Sequence, residues 1–261
     1  MQWSPLGTQF CLQIGFGVLL ALAFVPRAPV GALFYRIMGT SALVPLLVAL
    51  VAPVTSAQAT WTSPGTLATA LAVLAYPVYS GPVRGLRWGA GLAAGLLGSG
   101  AALVFLLRDV ELARGATGLL LASSSALATG AVAGSVGLAM VLGHWYLTVP
   151  NLRVQHLVRL NRVTIVSMLL SLALILVTCR VFGEALNASD RPLMGATGLF
   201  YLGTRVAVGL LMPLLFAAMT ASSLKYSNTR SATGILYAST VLVLIGTAVS
   251  VSLQDSYGIP L

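Results

Sequence analysis

The sequence predicts an all-α, polytopic integral membrane protein, a helical bundle of about eight transmembrane helices with both termini outside the cytoplasm. Three observations carry this expectation. First, 58% of its 261 residues are hydrophobic and 7% are charged, with a mean hydropathy of +0.96. A soluble domain needs about 25% charged residues to face water. Second, apolar runs recur along the whole chain, most of them near the roughly 20 residues that cross a hydrocarbon core of about 30 Å. Third, the basic residues collect in alternate loops.

The runs read as Gln9–Pro26, Val30–Val54, Gly65–Pro82, Trp88–Leu107, Ala116–Gly143, Val163–Phe182, Gly195–Leu224 and Ser231–Leu253. Each must be a helix, because only bonds within the segment satisfy the backbone in lipid. The third run is the shortest on apolar residues and the weakest span. The longest polar stretch, Tyr146–Arg162, is too short to build a core, so residues 1–261 form a single transmembrane domain. The first span is expected to be retained: no basic residue precedes it, and the first charge, Arg27, follows it.

Orientation follows from the positive charges. With the N-terminus outside, the inner loops hold Arg27, Arg36, Arg84, Arg87, Arg153, Arg159, Arg162, Lys225 and Arg230. The outer loops hold Arg108, Arg114, Arg180 and Arg191, an excess of nine to four that matches the rule for cytoplasmic loops. The acids Asp109, Glu111, Glu184, Asp190 and Asp255 all fall outside. Because the net charge of +9 is spread over these loops, no basic face remains for a nucleic acid. Arginine far outnumbers lysine, which points to a GC-rich bacterial genome and to the plasma membrane.

Trp3, Trp61, Trp88 and Trp145 sit beside span ends, where amphipathic rings settle at headgroup level. Pro45 and Pro213 predict kinks within their spans. Gly91 with Gly95, and Gly130 with Gly134, form small-xxx-small pairs on the fourth and fifth spans. These pairs predict that the two neighbouring helices pack closely. A short echo links 31–35 (GALFY) and Pro45 to 197–201 (TGLFY) and Pro213, which would suit an internal repeat.

Several chemistries are excluded. The one lysine, Lys225, ends a span, so no retinal Schiff base can form in mid-membrane. No acid lies within a span, which disfavours a carboxylate proton relay and an acidic metal motif. Cys11 and Cys179 read as small hydrophobes near span ends. Ser123, Ser124, Ser125 and Thr129 read as helix-to-helix hydrogen-bonding groups. The only histidines are His144 and His156.

Two places could carry function. Gly143-His144-Trp145-Tyr146 ends the fifth span at the expected cytoplasmic interface. It is either an aromatic anchor or a headgroup or quinone contact, since His and Tyr can donate to a carbonyl. His144 as a single axial ligand of haem or a chlorin is a further reading, with no other metal ligand identified. Arg205, about ten residues into the seventh span, lies near mid-depth by a rise of 1.5 Å per residue, and is either a partnered intramembrane cation or one that snorkels outward.

Residues 209–215 (GLLMPLL), a short basic loop, and 242–246 (LVLIG) resemble the end of the NrfD/DmsC-type membrane anchors of redox complexes. The eight-span arrangement is similar to the DmsC branch. The resemblance covers about a quarter of the chain. An arginine expected late in the last helix is replaced by Ala248, Val249 and Ser250, and no His-Leu-Gly motif lies near the third span. It implies a membrane subunit of a redox or energy-transducing complex, noncatalytic on its own or quinone-contacting, partnered by other redox subunits as well as lipid. The alternatives from other classes are a small-solute transporter and a pigment- or haem-binding or assembly protein.

Overall fold

A computed structural model of the chain describes residues 3–25, 30–81, 85–149, 152–188 and 192–261, with only the backbone of 3 and 4. Arg27, Arg84, Asp190 and Arg191, which enter the charge reading, lie outside the described residues. Among the described residues, besides a short 3-10 helix at Glu111–Ala113, ten helices follow one another: α1 (Trp3–Leu22), α2 (Ala32–Thr55), α3 (Pro64–Leu74), α4 (Tyr76–Ser80), α5 (Leu86–Leu107), α6 (Ala116–Thr148), α7 (Gln155–Val181), α8 (Gly183–Asn187), α9 (Ala196–Lys225) and α10 (Thr229–Tyr257). No strand occurs among the described residues. Among the described residues seven helices, α1, α2, α5, α6, α7, α9 and α10, are long and apolar enough to cross a membrane. The chain is a multi-pass helical bundle suited to a lipid environment.

The expected third span is divided at Ala75 into α3 and α4. Pro77 has no N–H to give the carbonyl of Val73, and its ring crowds that turn. Neither piece is long enough alone, α3 having 11 residues and α4 five. Together they run antiparallel to α5. Gly65 lies beside Phe105, Gly98 against Ala68 and Ala72, and Gly91 against Val78. The pair thus accompanies residues 91–105 of α5, about 21 Å of helix at 1.5 Å per residue.

Two helices run past their apolar limits. α6 continues through Thr148 and α7 begins at Gln155, so the expected basic loop is mostly helical. Hydropathy marks only the part of a helix that lipid tails cover, whereas backbone hydrogen bonding continues into the headgroup region. The Asn228 side chain starts α10 by accepting from the Ser231 N–H at 3.1 Å. Gly258, with φ 69°, ends it in the left-handed conformation.

α6 is the central helix, with 78% of its apolar window buried. Fourteen of its eighteen buried residues are Gly, Ala, Ser or Thr. Lipid tails are as apolar as leucine, so helices associate through close backbone contact rather than through hydrophobic transfer. Gly130 and Gly134 meet α1 at Gln13 and Gly17. A Cβ on Gly130 would lie 2.6 Å from the Gln13 carbonyl oxygen. Gly91 and Gly95 face Val78 and Tyr79 of α4, with Leu19 of α1 also beside Gly95. Both glycine pairs therefore permit close approach, but each to a different helix and not to one another. Many large aliphatic residues point outward, as at Val166, Leu170 and Leu176 of α7, although others such as Leu19 and Leu142 are buried between helices.

The two ends of the bundle differ in charge. Arg36, Arg87, Arg153, Arg159, Arg162, Lys225 and Arg230 collect at the end where α1, α6 and α9 finish. The described acids Asp109, Glu111, Glu184 and Asp255 lie at the other end, with Arg108, Arg114 and Arg180.

Candidate functional site

At the basic end, a cluster of aromatic rings ties α2 to α5 and α6. Phe34 and Tyr35 are fully buried and meet edge-to-face. Trp145 stands edge-on to Phe34 at 5.7 Å, and Trp88 to Tyr35 at 5.7 Å. The Trp145 indole N–H donates to the Val30 carbonyl at 3.1 Å, and that of Trp88 to the Tyr79 carbonyl at 3.1 Å. Both tryptophans thus spend their polar tips on the chain and not on headgroups. The Tyr146 hydroxyl likewise donates to the Arg153 carbonyl.

His144 differs from its neighbours. It is exposed, and its Nδ1 lies 3.4 Å from the Tyr237 hydroxyl on α10. Beside this pair, Tyr146, Leu147, Arg230, Thr233 and Tyr237 line a recess of about 570 Å³. α6 and α10 approach closely here because Gly143 has no side chain: a Cβ would lie 2.7 Å from the Thr233 hydroxyl oxygen. Tyr237 was not singled out from sequence, since 93 residues separate it from His144. Pro150 and Asn151, which follow the same string, lie outside the described residues. His156 sits on α7 with its Nε2 buried and unpartnered. Among the described residues no group of three or more His, Cys, Asp and Glu could hold a metal ion.

Arg205 belongs to a second, separate place. It is fully buried and does not snorkel. It stands nine residues into α9, roughly 14 Å from the helix start at 1.5 Å per residue. Its Nη2 donates to Thr129 Oγ1 of α6 at 2.8 Å and to Ser171 Oγ of α7 at 3.0 Å. Its Nε donates to the Leu261 oxygen at 3.1 Å, where residues 259–261 turn back into the bundle after Gly258. Ser250 of α10 bonds the same oxygen at 2.5 Å. Nη1 has no partner, and no described carboxylate side chain bonds the guanidinium.

The local backbone explains the position. Residues 204–211 form a π-helix, closed by the Met212 N–H bonding the Ala207 carbonyl. Pro213 follows at once and cannot donate to Gly209 four residues back. Such wide turns recur at functional sites. Gly209 and Gly246 bring α9 and α10 together there, a Cβ on Gly209 falling 2.6 Å from the Gly246 Cα. The echo between 31–35 and 197–201 has no structural counterpart. Phe34 and Tyr35 are buried on an uninterrupted α-helix, while Phe200 and Tyr201 are exposed ahead of the π-helix.

The amides of α1 complete this interior layer. Gln9 donates to the Gln254 side chain of α10 at 2.6 Å. Gln13, packed against Gly130 next to Thr129, is fully buried with both amide atoms unpartnered. An unpaired amide away from water costs about 1–3 kcal/mol on protein mutational scales. These glutamines escaped the sequence reading because they carry no charge and stand within an apolar run. Cys11 and Cys179 are half-buried and free. No protein-family model, curated protein or solved structure matches the chain.

Proposed function

We propose that this protein is a quinone-contacting membrane subunit of a redox or energy-transducing complex, noncatalytic on its own, in a bacterial plasma membrane. The observation that carries this reading is the His144–Tyr237 pair, 3.4 Å apart, whose Tyr237 lines a recess of about 570 Å³. A quinone is a flat apolar ring with two carbonyl oxygens. Imidazole and phenol are the side chains that can both line such a ring and donate to its oxygen. The recess opens where a lipid-soluble carrier would arrive, at the end of two membrane helices. The resemblance of 209–215 and 242–246 to NrfD/DmsC-type anchors points the same way.

In this reading the chain crosses eight times with both ends outside. The eighth crossing is the broken α3–α4 pair, supported by its run alongside residues 91–105 of α5. The gathering of basic residues at one end supports the cytoplasmic assignment of that end. The test is mass spectrometry of the tagged chain purified in mild detergent, with quinone extracted from the same sample. Stoichiometric iron–sulfur, cytochrome or molybdenum subunits are expected. A solitary, quinone-free protein would overturn the reading.

The interior layer favours a second reading, a small-solute transporter. Arg205 Nη1 and both polar ends of Gln13 are buried without partners, and mid-membrane polar groups mark substrate paths. Saturable flux of an anionic solute into proteoliposomes, lost in Arg205→Met, would favour it over the first.

A further inference from the structure

A groove on the lipid-facing side of the bundle runs between the end of α1 and the start of α7. Leu20 and Phe24 form one wall, while Arg159, Arg162, Val163 and Val166 form the other, enclosing about 410 Å³. The two arginines stand three residues apart, on one face of α7, and both are exposed. Their helical neighbours Leu160 and Asn161 point inward, Asn161 donating to the Ala217 carbonyl at 2.9 Å. The arginines are therefore aimed out of the bundle by the same turn that anchors the helix.

Charge and polarity are divided along the groove. The guanidinium groups lie at the helix start, where membrane helices meet the headgroups. Val166 lies deeper, roughly 11 Å from Arg159 at 1.5 Å per residue, and is 64% exposed toward lipid. No described acid lies at this end of the bundle, Asp109, Glu111, Glu184 and Asp255 all being at the other. The arginines thus have no protein counter-charge.

We infer that this groove binds an anionic phospholipid, its phosphate held by Arg159 and Arg162 and one acyl chain lying along Phe24, Val163 and Val166. Guanidinium offers planar paired donors that match phosphate oxygens. Basic recesses between membrane helices recognise anionic headgroups by this chemistry. The apolar lower half selects a lipid over a free phosphate ion. The assignment does not depend on the quinone reading, because the groove shares no lining residue with the recess beside His144.

The test uses the full chain in nanodiscs of phosphatidylcholine containing a small fraction of phosphatidylglycerol. Lipid retained after detergent extraction is counted by native mass spectrometry. The wild type should retain phosphatidylglycerol in preference to phosphatidylcholine. R159Q/R162Q should lower that preference by roughly thirty-fold, about five-fold for each surface arginine. V166W, which fills the apolar half and leaves both charges, should also reduce retention. R180Q, at the other end of the same helix, should leave it unchanged. Inorganic phosphate should not compete. No lipid preference in the wild type, or the same preference in R159Q/R162Q and V166W, would overturn the inference. Equal loss in R180Q would show a diffuse charge effect and overturn it too.

Discussion

The buried layer around Arg205 and the open recess beside His144 share two helices, α6 and α10, yet they solve opposite problems. At Arg205 the charge is sealed from lipid and water, where only hydrogen bonds to the protein can satisfy a donor, and Nη1 is left without a partner. Two hydroxyls and one main-chain oxygen supply three of those bonds. At His144 the polar atoms face outward, and the single contact to Tyr237 is long at 3.4 Å. One place is committed to holding helices together. The other is left available, and availability is what a ligand site requires.

The largest expected difference concerns stability. Arg205→Ala empties a fully buried site and strands the hydroxyls of Thr129 and Ser171, so it should cost about 3–4 kcal/mol. Arg205→Met keeps the volume and removes the charge. It strands the same two hydroxyls but opens no cavity and leaves no buried charge, so it should cost less than Arg205→Ala, about 1–3 kcal/mol. Thermal unfolding in detergent reads both. His144→Ala should stay within about 0.5 kcal/mol of wild type, as an exposed position does. Equal losses at the two positions would break the comparison.

The next effect sharpens the role of the glycines. Gly246→Val places methyl groups against Gly209 and beside the Arg205 guanidinium, whose Nη1 lies 3.4 Å from that Cβ position. Overpacking of this kind costs about 1–3 kcal/mol, visible as a lower melting temperature. Gly137→Ala, with nothing within 4 Å, is the control and should melt with the wild type.

At the recess the readout is functional. His144→Ala should lower quinol turnover of the purified complex by about tenfold, the value of one hydrogen bond of about 1.4 kcal/mol. Assembly, followed by co-purification, should not change. Tyr237→Phe should give a smaller loss in the same assay. The smallest expected effect is Gln9→Leu, which removes one hydrogen bond between α1 and α10. Interhelical bonds of this kind average about 0.6 kcal/mol, so a shift in melting of a degree or two is expected.

Much of the fold was legible because lipid imposes a simple rule on sequence. Hydropathy located seven long helices, and the weak third run is the one that breaks, at Ala75 just ahead of Pro77. Pro213 signalled the irregularity that becomes the π-helix. Hydropathy failed at the helix ends, where α6 and α7 extend past their apolar runs. It failed also for the choice of helix partners. Small-residue pairs say that a helix approaches something closely, but only the folded chain places Gly17 against Gly134, or Gly209 against Gly246.

The sites divide in the same way. His144 stands out as one of two histidines, and Arg205 as an arginine well inside a long apolar run. Tyr237 and Gln13 do not, because a tyrosine at a span end and a glutamine in an apolar run are ordinary until the partner is known. Trp145 and Tyr146 were visible as aromatic residues at an interface. Their bonds to Val30 and Arg153, across long and short stretches of chain, were not.

The most direct measurement is photolabelling of the purified complex with an azidoquinone, followed by peptide mapping and competition with unlabelled quinone. The account predicts saturable labelling of peptides carrying His144, Tyr146 and Tyr237, lost in His144→Ala. Labelling confined to peptides around Arg205, or labelling that excess quinone does not displace, would contradict it.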